Sequence, residues 1–234
     1  MSFRESYCRI LRENKLEEYA TDELAARFEE LTERLVAFNK CVNLTAITDP
    51  EEIILRHYAD CLLAAHAFPE GAKVLDVGCG GGFPCLPLAI ARPDLTITGL
   101  DSTAKKLVFV ENTAKEMHLR LDTVAGRAEE LGQGVLRERF DVVTARAVAA
   151  LNVLAEWSLP FLKVGGKMIS LKGSGGKEEL QAARNAIKTL GGSKVQLTEY
   201  SLADMGRSLI VIDKTTPTPA QYPRPNGKIM KKPL

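Results

Sequence analysis

Val74-Leu75-Asp76-Val77-Gly78-Cys79-Gly80-Gly81-Gly82-Phe83-Pro84 runs from an apolar stretch around one acid into four glycines within five positions. A strand that gives way to a glycine-rich turn lets backbone approach a ligand with no Cβ atoms between them. In open parallel sheets, ligands collect at the carboxyl ends of the strands. Three ligand classes use such turns, and spacing separates them. A phosphate loop needs a Lys-Ser/Thr pair after its last glycine, and none stands here. A dinucleotide fingerprint needs a third glycine where Phe83 or Cys85 stands. What remains is Asp76-x-Gly78-x-Gly80-x-Gly82, with Gly81 outside the defining positions.

Around this turn the chain alternates β-rich runs with helical stretches. The runs are 73–77, 96–100, 121–125, 140–145, 167–172, 194–200 and 208–213; the helical stretches are 84–91, 103–118, 151–162 and 177–190. Such alternation predicts βαβ units and a mostly parallel sheet. Only Ser201–Arg207 separates the last two runs, too little for a crossover helix, so they should pair antiparallel. The expected fold is α/β and Rossmann-like: a seven-stranded, mostly parallel sheet ending in an antiparallel hairpin, behind a helical N-terminal cap.

The cap spans residues 1–70. From Thr21, Leu24, Phe28, Leu31, Leu35 and Phe38 recur at helical spacing, with Thr21 as cap and Asp22 and Glu23 in the first turn. Asp49-Pro50-Glu51-Glu52 starts another helix, with Ile53, Ile54, His57, Tyr58, Cys61 and Leu62 on its inner side. Residues 71–215 form the core. The tail, 216–234, is rich in proline and lysine and should be irregular or extended. One integrated domain is expected.

Charge is unevenly spread. Residues 1–70 carry 8 Lys/Arg against 14 Asp/Glu, a balance of −6; residues 161–234 carry 13 against 5, a balance of +8. A basic rear either meets a polyanion or is an ordinary solvated surface. Five cysteines without C-x-x-C pairing argue against a disulfide framework and a zinc site, and no metal is expected. No apolar run approaches the roughly 18 residues of a membrane span. The first residues are charged with no apolar signal core, so a cytoplasmic protein, with no membrane partner, is expected.

The turn resembles motif I of the class I S-adenosylmethionine-dependent methyltransferases. That resemblance implies S-adenosyl-L-methionine as cofactor, held by Asp76, Gly78, Gly80, Gly82 and Phe83. Asp101 follows the second strand, where the superfamily's acid takes the ribose hydroxyls, with Ser102 beside it; capping of the next helix is the alternative. Ala128 and Glu129, after the third strand, stand where such enzymes cover the adenine, although Glu129 also suits a helix start.

The whole chain is similar to the ribosomal RNA small-subunit methyltransferase G family, formerly called glucose-inhibited division protein B. The ordered pieces are Asn43-Leu44-Thr45, Arg56-His57 with Asp60, Asp76 to Pro87, and Asp101-Ser102 with Lys105 and Phe109. Arg127 to Glu130, Phe140-Asp141, Arg146-Ala147, Lys172-Gly173, Arg207-Ser208-Leu209, Tyr222-Pro223-Arg224, Gly227 and Lys231 to Leu234 follow. Cys85 and Cys61 stand where the family usually has glycine and serine, and Pro225 where it usually has arginine.

The resemblance implies methyl transfer to N7 of a guanine in bacterial 16S rRNA, free or in the 30S subunit, by a monomer. Guanine N7 carries a free lone pair and needs no general base, and the sequence offers no obvious one. The Asn-Pro-Pro-Tyr type motif of exocyclic-amine methyltransferases is absent after the fourth strand, where Thr144-Ala145-Arg146-Ala147 stands. Arg146 could bind the cofactor carboxylate or guanine O6, or pair with an acid such as Glu156. Arg146 and His57 are the candidate catalytic residues. Asn43, Arg56, His57, Arg127, Lys172, Arg207, Arg224, Lys231 and Lys232 are the candidate RNA contacts. Another RNA, a small-molecule substrate, or a non-catalytic RNA-binding role on this scaffold are the alternatives.

Overall fold

The computed structural model describes residues 1–234. Seven strands form one sheet: β1 (Lys73–Val77), β2 (Thr96–Asp101), β3 (Leu121–Ala125), β4 (Phe140–Arg146), β5 (Leu162–Gly173), β6 (Gly192–Leu202) and β7 (Met205–Lys214). Their order is β3-β2-β1-β4-β5-β7-β6. Pairing is parallel from β3 to β5 and antiparallel for β5–β7 and β7–β6. The chain steps outward from β1 to β2 and β3, then returns to β4 on the other side. That reversal leaves a crevice above β1 and β4, beside the glycine turn.

Alternation along the strands builds two cores. Val74, Val142, Ile169 and Leu209 face one side, where α1 (Phe3–Glu13), α2 (Asp22–Asn39), α5 (Cys85–Ala91) and α6 (Ala104–Glu116) pack. Leu75, Val143, Met168 and Ile210 face the other. There α8 (Leu151–Ser158) and α9 (Gly176–Thr189) pack, next to the short α7 (Ala128–Leu131). Neighbouring positions on a strand point to opposite faces, so each central strand serves both layers.

The cap helices share the first core rather than standing apart from it. Phe28, Leu31 and Leu35 of α2 are fully buried in the same cluster as Leu86 and Val110. Thr21 caps α2 by accepting from the Leu24 N–H. Ser2 and Glu5 form a capping box on α1. Asp49 caps α3 (Pro50–Ile53) by accepting from the Glu52 N–H, whereas the Glu52 side chain turns to Arg56. The chain then widens into a π turn over Ile54–Ala59 and closes as α4 (Asp60–Leu62). Ile53/Ile54, His57/Tyr58 and Cys61/Leu62 recur every four residues and are all buried. That spacing suits the wider turn.

The structure revises several sequence expectations. Helix 151–162 stops at Ser158 and passes through a 3₁₀ turn, Leu159–Phe161, because Pro160 has no N–H with which to continue it. The final hairpin is tighter than the spacing suggests: only Ala203 and Asp204 lie between β6 and β7, with Ala203 at φ +52°. The tail is neither irregular nor extended throughout. It ends in α10 (Asn226–Lys231) and is tied down before that. Arg137 donates to the carbonyls of Thr218 and Tyr222 at 2.6 and 2.7 Å, and Gln133 to that of Pro223 at 3.0 Å. No helix is long and apolar enough to cross a membrane.

Candidate functional site

The glycine turn is built by alternate residues. Gly78, Gly80 and Gly82 have φ of +72°, +54° and +90°, whereas Gly81 has no positive φ. A Cβ on Gly78 would meet Val148 at 2.9 Å, and one on Gly82 would meet Leu86 at 2.3 Å. Gly81 serves differently: a Cβ there would press on Leu44 at 3.3 Å. Gly82→Ala should therefore combine overpacking with left-handed strain and cost about 2–4 kcal/mol of stability. Gly80→Ala, with no atom closer than 3.9 Å to the added methyl, should cost only about 1 kcal/mol. Chemical denaturation of the two variants checks the order.

Carboxylates hold the turn from two sides. Asp101 Oδ2 accepts from the Gly80 N–H at 2.9 Å and its Oδ1 from the Thr103 N–H at 2.7 Å. The acid thus ties the turn to the start of the next helix. Asp76 is fully buried; its Oδ2 accepts from the Cys85 N–H at 3.0 Å and its Oδ1 has no partner. Burial raises its pKa to about 7. Burial also drives the Cys61 thiol up to about 12, so that sulfur is a packing group and no thiolate nucleophile.

A cavity of about 480 Å³ opens over the turn. Gly78, Gly80, Phe83, Asp101, Ser102, Ala128, Glu129, Arg146, His57 and Arg127 all line it. Asp76 and Gly82 do not: one lies beneath the turn, and the other packs on Leu86. Lys106, Trp157 and Asn226 line the cavity without any sequence signal of their own, and Thr45, from the Asn43-Leu44-Thr45 piece, lines it with them.

A second cavity, of about 750 Å³, adjoins the first and shares His57, Arg146, Ala147 and Val148 with it. Arg56, Asp60, Lys172, Glu179 and Arg207 line this space. Ala147, at the junction, adopts φ +56°, a left-handed conformation uncommon for a residue with a Cβ.

Arg146 organises the junction. Its Nη1 donates to Asp60 Oδ2 at 2.8 Å and to the Arg56 carbonyl at 2.9 Å; its Nη2 lies 2.9 Å from His57 Nδ1. The guanidinium sits 5.5 Å from the Phe83 ring centroid, and His57 stacks on the same ring at 4.3 Å. Arg146 does not pair with Glu156; Asp60 takes that role, and its Oδ1 also accepts from Arg207 Nε at 2.9 Å.

A guanidinium can only donate, so His57 Nδ1 accepts and Nε2 carries the proton, donating to Thr45 Oγ1 at 2.9 Å. Burial, then the Arg146 charge, lowers the imidazole pKa to about 4. Unfolded, the ring protonates near pH 6.5. Between these values the unfolded chain holds more protons. The stability His57 contributes is complete above about pH 6.5 and is lost as pH falls toward 4. The stability difference between the wild type and His57→Gln should shrink over that window in melts at a series of pH values. A difference independent of pH would contradict the neutral ring.

The candidate RNA contacts fall into two groups. Asn43, Arg127, Lys231 and Lys232 are exposed, and Arg56 is half-exposed beside Glu52. Lys172, Arg207 and Arg224 are engaged with acids. Lys172 pairs with Glu179 at 2.8 Å, Arg207 with Asp60, and Arg224 with the fully buried Glu156. Arg224 Nε and Nη2 lie 2.8 and 2.6 Å from the two Glu156 oxygens, so its fork is filled inside the protein. No three His, Cys, Asp or Glu side chains gather as a metal ligand set.

Strand order, glycine turn and the acid ending β2 together define a Rossmann-like methyltransferase. Solved structures agree on the fold. Cofactor-bound Rv0187 from MTB superimposes with a TM-score of 0.56 at 18% identity, over 83% of this chain and 97% of that one. TrmN from Thermus thermophilus does so with a TM-score of 0.52 at 19% identity, over 76% of this chain and 52% of that one.

Sequence comparison narrows the class. The family model for rRNA small subunit methyltransferase G matches residues 24–209. Proteins named ribosomal RNA small subunit methyltransferase G are 44% identical in Lactobacillus delbrueckii subsp. bulgaricus, over 89% of this chain and 90% of the relative. The Brevibacillus brevis relative is 41% identical over 92% of each chain. The chain belongs to the rRNA small subunit methyltransferase G family.

Proposed function

We propose that this chain transfers a methyl group from S-adenosylmethionine to N7 of a guanine in 16S rRNA, in the bacterial cytoplasm, as a monomer. The observation that carries the reading is the meeting of two cavities at Arg146 and His57. One cavity fits a nucleoside cofactor; the other, edged by Arg56, Arg146, Lys172 and Arg207 against Asp60 and Glu179, suits a nucleotide.

The residues of the first cavity fit the cofactor. Glycines with positive φ bring backbone close, and the volume lies in the roughly 300–1,000 Å³ range of small-molecule sites. Asp101 ends β2 with acceptors for a vicinal diol. Ala128 and Glu129 would border the base, and Ser102 and Phe83 the remaining walls. The bound cofactor supplies a methyl on a positively charged sulfur, which a nucleophile displaces in line.

The protein's part is positioning. Guanine N7 would attack with a lone pair it already has, so the transfer would need no base and no proton would move. His57 agrees with this chemistry because both ring nitrogens are engaged and its pKa is low, so it holds Arg146 rather than acting as a base. Arg146 fixes the junction where the methyl would cross. The Phe83 ring, with its centroid 5.5 Å from the guanidinium carbon, helps hold Arg146 where both cavities are lined by it. The exposed Asn43, Arg127, Lys231 and Lys232 remain the proposed phosphate contacts, with Arg56 beside the second cavity.

The test is methyl transfer from labelled cofactor to undermethylated 30S subunits and to free 16S rRNA, with the product nucleoside identified by mass spectrometry. 7-Methylguanosine is expected. A different modified nucleoside would overturn the substrate assignment. Cofactor binding without transfer to either substrate would favour a non-catalytic RNA-binding role.

A further inference from the structure

Trp157 on α8 and Asn226 at the start of α10 both line the cavity over the glycine turn. The Trp157 Nε1–H and the Asn226 Oδ1 are shielded from solvent, and neither has a hydrogen-bond partner in the protein. Shielded polar atoms nearly always have partners. A donor and an acceptor left unpaired on two side chains of one cavity wall mark a place where a ligand can complete the pairing.

The surroundings say which part of a ligand comes here. α7 packs against α8, and α8 against α10. Pro223 lies against Gly132 just beyond α7, and Gln133 and Arg137 hold the carbonyls of Pro223 and Tyr222. The closing segment therefore sits over the stretch that follows β3, next to Ala128 and Glu129. β2 and β1 separate β3 from β4, so this end lies roughly 14 Å from the Arg146 junction at strand spacing. A buried ion pair fixes it in place: Glu156, adjacent to Trp157, accepts from the Arg224 side chain and from the Arg224 N–H at 2.9 Å.

We infer that the closing segment is a wall of the cofactor pocket, and that Asn226 and Trp157 hydrogen-bond the adenine base. The inference rests on the first cavity being the S-adenosylmethionine site. A carboxamide presents an acceptor beside a donor, the complement of the adenine amino group next to a ring nitrogen. An indole N–H only donates, so it pairs with a ring nitrogen. Hypoxanthine breaks this pattern at the edge that carries N7: its carbonyl and N7 both accept, so the carboxamide satisfies only one of them in either orientation.

The test measures binding of S-adenosylhomocysteine and of S-inosylhomocysteine by calorimetry. The wild type should prefer the adenine ligand by roughly tenfold or more. Asn226→Ala should bind it roughly tenfold more weakly, with the preference collapsing toward one. Trp157→Phe, which keeps an aromatic ring and loses the N–H, should lose roughly three- to tenfold and carries the same test if the alanine variant folds poorly. Asp101→Asn should lower affinity for both ligands and leave their ratio unchanged. If the wild type binds and both wall variants keep its affinity and its ratio, the inference falls while the cofactor reading stands. If the wild type binds neither ligand, the cofactor reading falls and takes the inference with it.

Discussion

Asp101→Ala should weaken S-adenosylhomocysteine binding by at least about a hundredfold. Hydrogen bonds to a charged group contribute about 1.5–3 kcal/mol each, and each 1.4 kcal/mol is tenfold in affinity. A diol that loses two such bonds reaches the stated loss. A second effect adds to the first, because Asp101 also holds the Gly80 N–H at 2.9 Å and the Thr103 N–H at 2.7 Å. Without the carboxylate, the turn that should lie under the cofactor loses its tie to β2. Asp101→Asn retains one oxygen acceptor and should fall between the two. Calorimetric titration of the folded variants measures this; wild-type affinity in the alanine variant would remove Asp101 from the site.

Arg146→Met should lower methyl-transfer turnover by roughly 10²–10³-fold, the usual scale for removing an oriented donor from a reacting centre. It should also lower stability by about 3 kcal/mol, the lower end of the range for breaking a buried ion pair, because Arg207 still serves Asp60. Three acceptors lose their donor at once: Asp60 Oδ2, the Arg56 carbonyl and His57 Nδ1. Arg146→Lys should not restore turnover, since one ammonium cannot span a fork that reaches three groups and lies over Phe83. Single-turnover transfer at saturating cofactor separates the two effects from each other. Turnover near the wild-type value in Arg146→Met would show that Arg146 matters only for folding.

Local signals carried most of the fold. Strand–helix alternation placed all seven strands, and the antiparallel pairing of the last two followed from the short connection at Ser201–Arg207. Boundaries slipped where one residue overrides periodicity, as Pro160 does at the end of α8. Asp76-x-Gly78-x-Gly80-x-Gly82 was legible because backbone conformation leaves a mark in residue type, and positive φ falls on the three spaced glycines and not on Gly81.

The rest of the site was less legible, because pairings over long separations leave no local pattern. Nothing near Arg146 names Asp60, 86 residues earlier, as its partner. Nothing near Arg224 names Glu156, so an arginine in a basic tail reads as a phosphate contact although its fork is filled. Trp157 and Asn226 have no spacing relation to the glycine turn and meet it only once the tail has folded over α8.

The π turn at Ile54–Ala59 sets the direction in which everything after it faces. His57 and Asp60 both reach Arg146 from a segment that closes its hydrogen bonds over one residue more than an α-helix would. Rewinding the same residues as a regular α-helix, with none removed, would rotate every later residue by about 100° about the axis. Asp60 would then leave both arginines, so the segment that is easiest to idealise by design is also the one where idealisation dismantles the junction.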